Sequence, residues 1–447
     1  MKITSCIPSD IKNNKYLQMK RTIIEDLKHW KNATNRKPLI IQGARQVGKT
    51  WAMKEFGKNE FKQVVYLNFE SSTRLRDVFI PDFNIERLIT VFEIESNLKI
   101  TSADTLIIFD EIQEVEKGLT ALKYFYENAP EYYIIAAGSL LGVSLQKNNS
   151  FPVGKVDFLS LYPMSFLEFL ENIGEEKLVQ QLVLKNWDVL NSFHDKLVEL
   201  LRLYYFIGGM PEVVASYVAD KNLNTVRSIQ QKILMGYEND FAKYAPIEIV
   251  PKIKLVWHSL IAQLAKENRK FIYGQLKKGA RAKDFELAIN WLLAAGLVLK
   301  VNRIEKPTLP LSAYADYDAF KLFLVDIGLL NAIGKLDQKI LLEKNTILQE
   351  FKGALTEQFV CQQLKIKNDL YYWTTQTSTA EIDFVIQQQN EIIPIEVKAE
   401  ENLKSKSLKT YVEKYLPKTA IRTSMSPYRK ETWLTNIPLY AVSGVSE

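Results

Sequence analysis

Cysteine and histidine are scarce in this sequence. Cys6 and Cys361 are its two cysteines in 447 residues, and His29, His194 and His258 are its three histidines. Two distant cysteines with no CxxC exclude a disulfide framework and a structural zinc site of the Cys/His kind. The histidine spacing suggests neither metal ligands nor a catalytic triad. The opening segment "MKITSCIPSDIKNNKYLQMKR" lacks an apolar core of signal-peptide length. No apolar run reaches the roughly 20 residues that span a bilayer, and "YYIIAAGSLLGVSL" is too short. A cytoplasmic protein without membrane contact is therefore expected. Neither an internal repeat nor a low-complexity tract stands out, so a solenoid is not expected. A strong charge bias is missing too: 58 Lys and Arg against 52 Asp and Glu leave +6, with a pI near 8.8. That balance permits contact with nucleic acid without requiring it.

What is present is ordinary for a globular chain, with 47% hydrophobic and 25% charged residues. Its length exceeds one hydrophobic core, so two to four domains are expected. Residues 22–36 show apolar side chains at helical spacing and read as a lead-in helix. Four short apolar runs follow, "KPLIIQG", "VVYLNFE", "TLIIFDE" and "YYIIAAGS", with helical segments such as "TWAMKEF" and "KGLTALKYFYENA" between them. A fifth, "VDFLSLYP", closes at Pro163. Strands alternating with helices imply parallel βαβ units, hence an α/β open sheet covered on both faces. From Met164 the pattern is mostly helical, broken at Gly208-Gly209 and Pro211. Within 250–333, "FELAINWLLAAGLVLKVNRIE" reads as a helix running into a strand and fits a small winged-helix-like module. From about Asn345 the chain reads helix, strands, helix.

The chemistry begins at "GARQVGKT", which matches GxxxxGK[ST] between an apolar strand and a helix. Gly43, Ala44, Arg45, Gln46, Val47 and Gly48 would curl their backbone N–H groups around phosphate oxygens. The helix N-terminus beyond them favours negative charge. Lys49 would reach the β- and γ-phosphates, and the Thr50 hydroxyl would ligate Mg²⁺. Downstream, "TLIIFDEIQ" delivers Asp110 and Glu111 to the carboxyl end of a buried strand, where open α/β sheets bind ligands. Asp110 can hold the Mg²⁺ water shell and Glu111 can polarise the attacking water. A helix-capping pair is the blander reading of Asp110-Glu111. Together the two motifs point to a nucleoside triphosphatase. Ser139, after Gly138, stands where a polar residue would sense the γ-phosphate, although Gly-Ser also commonly ends a strand.

These residues, with "LYPMSFLEFL", "GGMPEVV" and "FKLFLVDIGLL", resemble the prokaryotic AAA+-type ATPases of largely unknown function. In that family a P-loop core precedes a helical and winged-helix-like domain and a restriction-endonuclease-like tail. The resemblance runs from about Arg21 to about Tyr440. It implies an AAA+ strand order, ATP as nucleotide, and a homo-oligomer in which a neighbour donates an arginine to the γ-phosphate. Where the family tends to carry Gly-Arg before "LYP", this chain reads "PVGKVDF" with Lys155, and lysine lacks the bidentate fork. Arg202 and Arg227 are the alternatives.

Near the C-terminus, "AEIDFVIQQQNEIIPIEVKAEEN" places Asp383 on one strand and Glu396 and Lys398 at the end of the next. In "PIEVK" the side chains of Glu396 and Lys398 share a strand face. Glu357, in "LTEQFV", lies on a helix that can pack beside these strands. Three carboxylates and a lysine can bind Mg²⁺ and orient water for attack on phosphate. The arrangement looks like the PD-(D/E)xK fold, although an ExK alone is common on amphipathic strands. The aromatic run "LYYWTT" fits base stacking or simple strand packing, and "KKGARAKDF" fits phosphate contact or a solvated helix start.

The expected organisation is a P-loop AAA+-type core over residues 1–165, a helical lid or linker over 166–249, a winged-helix-like domain over 250–340 and a restriction-endonuclease-like domain over 341–447. The expected function couples ATP binding and hydrolysis with Mg²⁺ to a nuclease-like tail directed at DNA or RNA. The alternative is a nucleotide-controlled switch whose tail binds a partner and cuts nothing.

Overall fold

The computed structural model describes residues 19–138, 154–266, 270–338, 349–375, 377, 379–399 and 404–446. The lead-in helix Ile23–Lys31 buries Ile23, Leu27 and Trp30 along one face. Five strands follow: β1 Leu39–Gln42, β2 Gln63–Asn68, β3 Thr105–Asp110, β4 Tyr133–Ala137 and β5 Asp157–Ser160. They form one parallel sheet in the order β2-β3-β4-β1-β5. β3 is buried at every position, as its unbroken apolar sequence requires when helices cover both faces. Its alternate residues feed two cores, Leu106 and Ile108 the larger one, Ile107 and Phe109 the other. The α/β core expected from the sequence is therefore present, including the strand drawn from "VDFLSLYP".

Six helices come next: Phe166–Asn172, Glu176–Val183, Trp187–Ser192, His194–Ile207, Pro211–Asp220 and Leu223–Tyr244. Two further helices, Val250–Leu264 and Ala282–Ala294, lead into the antiparallel hairpin of β6 Val298–Ile304 and β7 Ala315–Leu324. Helix Ile327–Ile333 follows. The last region runs helix Gln349–Lys365, β8 Tyr371–Thr374, β9 Glu381–Gln388, β10 Glu391–Val397, helix Lys406–Tyr415, β11 Ile421–Ser424, β12 Arg429–Lys430 and β13 Thr435–Pro438. Its strands join the hairpin in an eight-stranded sheet, β12-β13-β11-β10-β9-β8-β6-β7. The link is the parallel pairing of β6 with β8, Asn302 opposite Tyr371. The sheet thus crosses position 340, where the sequence suggested a domain boundary. No described helix is long and apolar enough to cross a membrane.

One buried polar cluster joins these parts. Asp326, fully buried, caps helix Ile327–Ile333 by accepting from Leu329 N at 2.9 Å, and also accepts from Gly209 N at 2.6 Å and Gln362 Nε2 at 3.3 Å. Gly209 has no room for a side chain, since a Cβ there would sit 2.1 Å from the Met164 carbonyl oxygen. Tyr204 donates to that same carbonyl, and Gln362 donates to the Tyr204 hydroxyl at 2.9 Å. Helix Gln349–Lys365 grips the neighbouring backbone through buried glutamines. Gln358 bonds both the N–H and the carbonyl of Leu324, at 2.9 and 2.6 Å, and Gln363 accepts from Phe166 N at 2.8 Å. The end of the first sheet, the helical region after it, the hairpin and the C-terminal helix thus meet at one place.

Burial raises the Asp326 carboxyl from 3.8 to about 6, against the pull of its N–H donors. The folded protein therefore holds this proton more tightly than the unfolded chain does. The resulting stability is fully present below pH ~4 and is lost as pH rises through 6, amounting to about 3 kcal/mol. Urea titrations between pH 4 and 7 should show this slope in the parent and lose it in Asp326→Asn. That variant should also be less stable at pH 5, because an amide cannot accept from all the donors Asp326 serves.

Candidate nucleotide and carboxylate sites

The loop after β1 is built around glycine. Gly43 adopts φ 151°, and a Cβ there would lie 2.1 Å from the Leu161 carbonyl oxygen. Gly48, at φ 95°, starts helix Lys49–Glu60. Lys49 is buried with its ammonium folded back onto the loop, donating to the Gly43 carbonyl at 2.9 Å and the Ala44 carbonyl at 2.8 Å. Burial pulls its pKa down to about 8, opposed by the charges of Glu111 and Asp110. At the end of β3, Asp110 Oδ2 accepts from Thr50 Oγ1 at 2.8 Å and from the Tyr66 hydroxyl at 2.7 Å. Glu111 turns the chain with φ 53°, and its Oε2 accepts from Gln113 at 2.6 Å. The loop, Lys49, Thr50, Asp110 and Glu111 thus converge at the carboxyl ends of β1 and β3. Ser139 lies outside the described residues. The adjoining hydroxyl and carboxylate of Thr50 and Asp110 are hard oxygen donors and fit Mg²⁺.

Several side chains around this site were not read from the sequence. Arg21 is buried and reaches the Val47 carbonyl at 2.9 Å, the Tyr162 carbonyl at 2.7 Å and Glu168 at 3.0 Å. Glu168 also accepts from Thr22 N and Ser165 N, both at 2.8 Å. Burial pushes the Glu168 pKa up, but Arg21 and those N–H groups outweigh it, and the net shift is downward. The Ser165–Glu168 capping box is the S-x-x-E within "PMSFLEFL", so part of this signal was open to reading. On the other side, Arg45 pairs with Asp240 at 2.5 Å, and Tyr237 donates to the Arg45 carbonyl at 2.8 Å. Helix Leu223–Tyr244 therefore clamps the loop. A cleft of about 370 Å³ opens beside Gln42, Gly43 and Ala44, walled opposite by Leu293, Gly296 and Leu299. Of the finger candidates, Lys155 pairs with Glu127 at 3.1 Å. Arg227 donates to the Leu336 carbonyl at 2.8 Å and lies over the Phe206 ring.

The C-terminal acids are less gathered. The β8–β9 pairing jumps from Tyr371–Val385 to Trp373–Ile382, so Asp383 sits in a β-bulge. Its Oδ2 accepts from Val397 N at 2.8 Å, which ties the bulge to the end of β10. Glu396 is buried beside Lys398, Oε1 to Nζ 2.9 Å, and its carboxyl is also hydrogen-bonded by Ser405, while its Oε2 finds no partner among the described residues. Burial raises the Glu396 pKa against the pull of Lys398. Glu357 is also buried, but it faces Lys321, a fully buried lysine of β7, at 3.5 Å. Lys321 reaches Glu381 as well, at 2.5 Å. Among the described residues, no group of three or more His, Cys, Asp or Glu is placed to hold a metal ion. As arranged, Glu357, Asp383 and Glu396 do not fit a divalent cation as a trio. Tyr372 and Trp373 are buried, with Trp373 packed edge-on to Tyr411, so "LYYWTT" belongs to the core. Lys277, Lys278, Arg281 and Lys283 are exposed at the start of helix Ala282–Ala294.

Residues 35–170 match the family described as an AAA domain. Residues 198–340 and 352–442 match two families described as domains of unknown function, DUF8612 and DUF4143. No curated protein matches the chain. Among solved structures, a Walker-type ATPase of Pyrococcus abyssi is similar at 13% identity and TM-score 0.44, over 71% of this chain and 96% of that one. The ORC1 protein of Aeropyrum pernix in complex with DNA gives 13% and 0.30, over 70% and 90%. The RuvB Holliday junction branch migration motor of Thermotoga maritima gives 12% and 0.28, over 63% and 89%.

Removing Arg21 strands a buried carboxylate, so Arg21→Met should cost about 3–5 kcal/mol in denaturant unfolding. Adding Glu168→Gln should recover part of that loss. Equal stability of parent and Arg21→Met would show that the pair is not a structural brace.

Proposed function

We propose that this chain binds and hydrolyses ATP at the site built from Gly43–Thr50, Asp110 and Glu111. The observation that carries this reading is the contact of Thr50 with Asp110 at 2.8 Å beside the buried Lys49 ammonium. Phosphates entering the loop would offer Lys49 stronger acceptors than the Gly43 and Ala44 carbonyls it now holds. A bound Mg²⁺ would supply charge neutralisation at the β- and γ-phosphates. Glu111 orients water toward the γ-phosphorus. The new P–O bond forms as the bond to the bridging oxygen breaks, and ADP leaves with that electron pair while the water proton passes to Glu111. In this reading Lys49→Ala abolishes nucleotide binding or turnover, measured by phosphate release, while its circular dichroism matches the parent. Persisting turnover would overturn the assignment.

For the C-terminal region we propose a nucleic-acid-directed, nuclease-like domain whose activity follows the nucleotide state, with the winged-helix-like segment as its adaptor. The helix–β8–β9–β10–helix–β11 order, the bulged Asp383 and the Glu396 Oε2, which finds no partner among the described residues, support this. A second reading, a switch whose tail binds a partner without cleavage, is favoured by one observation: Lys321 already balances Glu357 and Glu381. Incubation with DNA and RNA, with Mg²⁺ or Mn²⁺ and with or without ATP, separates the two. The nuclease-like reading predicts cleavage that Asp383→Ala/Glu396→Ala removes. No cleavage under any condition supports the switch.

A further inference from the structure

A residue on the strand beside β3 holds the carboxylate of Asp110 in place. The Asp110 Oδ2 atom accepts two side-chain hydrogen bonds, from Thr50 Oγ1 at 2.8 Å and from the Tyr66 hydroxyl at 2.7 Å. Thr50 belongs to the phosphate loop and is the nearer to any bound nucleotide. Tyr66 belongs to β2, where nothing in the sequence marks it for the nucleotide site. In the β2–β3 register Tyr66 pairs with Ile108 and Asn68 with Asp110, so the phenol reaches along the sheet from one residue pair to the next.

The tyrosine is itself held on three sides. Asn68 Nδ2 donates to its hydroxyl oxygen at 3.2 Å, leaving the phenolic hydrogen to point at Asp110. The Lys54 ammonium, from the helix that begins at Lys49, stands 3.5 Å from the ring centroid. The chain Asn68 to Tyr66 to Asp110 is thus a directed hydrogen-bond series ending on the carboxylate, anchored to the phosphate-loop helix through Lys54. A carboxylate fixed this way loses less freedom when a cation binds.

We propose that Tyr66 is a positioning residue for ATP hydrolysis, orienting Asp110 so that it and Thr50 are preset for a divalent cation. This rests on the reading of Gly43–Thr50 and Asp110 as the nucleotide site. Tyr66 touches neither phosphate nor the attacking water, so its loss affects the use of the cation and not the phosphate grip of the loop.

The test uses full-length protein, a fluorescent ADP analogue and Mg²⁺. Parent and Tyr66→Phe are titrated with nucleotide in EDTA, then with Mg²⁺ at fixed nucleotide, and both melting temperatures are recorded. Tyr66→Phe keeps the ring and its contact with Lys54, so any change reads the hydroxyl alone. The proposal expects unchanged nucleotide affinity in EDTA and a Mg²⁺ midpoint raised about 10-fold, the usual effect of losing a partner behind a metal ligand. The Mg²⁺ dependence of ATP turnover should shift in parallel. Tyr66→His, which returns a shorter donor, should restore part of the shift. If the parent responds to Mg²⁺ and Tyr66→Phe has the same midpoint, the positioning role is overturned while the nucleotide site stands. If the parent binds nucleotide but shows no Mg²⁺ dependence, the positioning role is likewise overturned; if it binds no nucleotide with or without Mg²⁺, the nucleotide reading fails and takes this inference with it.

Discussion

The buried carboxylate of Asp326 is the constraint on which the rest of the arrangement depends. A carboxylate withdrawn from water needs donors, and a missing one costs the full desolvation of that group. Its donors come from three places: Gly209 in the helical region after the first sheet, Leu329 after the hairpin, and Gln362 on the C-terminal helix. Satisfying one buried group therefore fixes three segments at once. Gly209 in turn packs directly on the Met164 carbonyl, just beyond the last strand of the parallel sheet. The pairing of β6 with β8 extends the same constraint, because the hairpin cannot move far without breaking a ladder shared with the C-terminal sheet.

The nucleotide site is braced from outside its own motifs. Arg21 holds the Val47 carbonyl from the lead-in segment, and Arg45 is held by Asp240 of the long helix Leu223–Tyr244. Phosphate arriving at Lys49 would change the charge felt by Arg45, Asp110 and Glu111 together, since all lie in one electrostatic neighbourhood. Helix Leu223–Tyr244, which carries Asp240, also packs on helix Ile327–Ile333, which Asp326 caps. This gives the proposed coupling a physical route from the loop through helix Leu223–Tyr244 to the junction and the C-terminal helix. The lysines facing Glu357 and Glu396 bear on what that coupling reaches, because a carboxylate already balanced by an ammonium has less to offer a metal.

What could be read in the sequence depended on the distance between partners along the chain. The phosphate loop is eight contiguous residues whose spacing is itself the chemistry, and Asp110-Glu111 ends an unbroken apolar strand, so both were legible. The fifth strand was legible because Pro163 closes an alternating run. Arg21 and Glu168 lie 147 residues apart, Tyr66 and Asp110 lie 44 apart, and Lys321 and Glu381 lie 60 apart. No local pattern announces such pairs, and a lysine inside "AFKLFLVD" reads as an interruption of a strand, not as the balancing charge of a remote helix. The C-terminal acids were identified as residues, but their separation depends on a bulge and on the hairpin joining the sheet. Nothing in "TEQFVCQQLK" marks its glutamines, whereas burial makes them surrogates for backbone pairing.

The most direct measurement is hydrogen–deuterium exchange of the full-length chain with and without ATP and Mg²⁺. The account predicts altered protection in three places: residues 43–50, the Ile207–Met210 turn, and helix Gln349–Lys365, whose glutamines bind the junction. Changes confined to residues 43–50 and 110–111 would contradict it, leaving a phosphate-loop site whose nucleotide state goes unfelt by the C-terminal sheet.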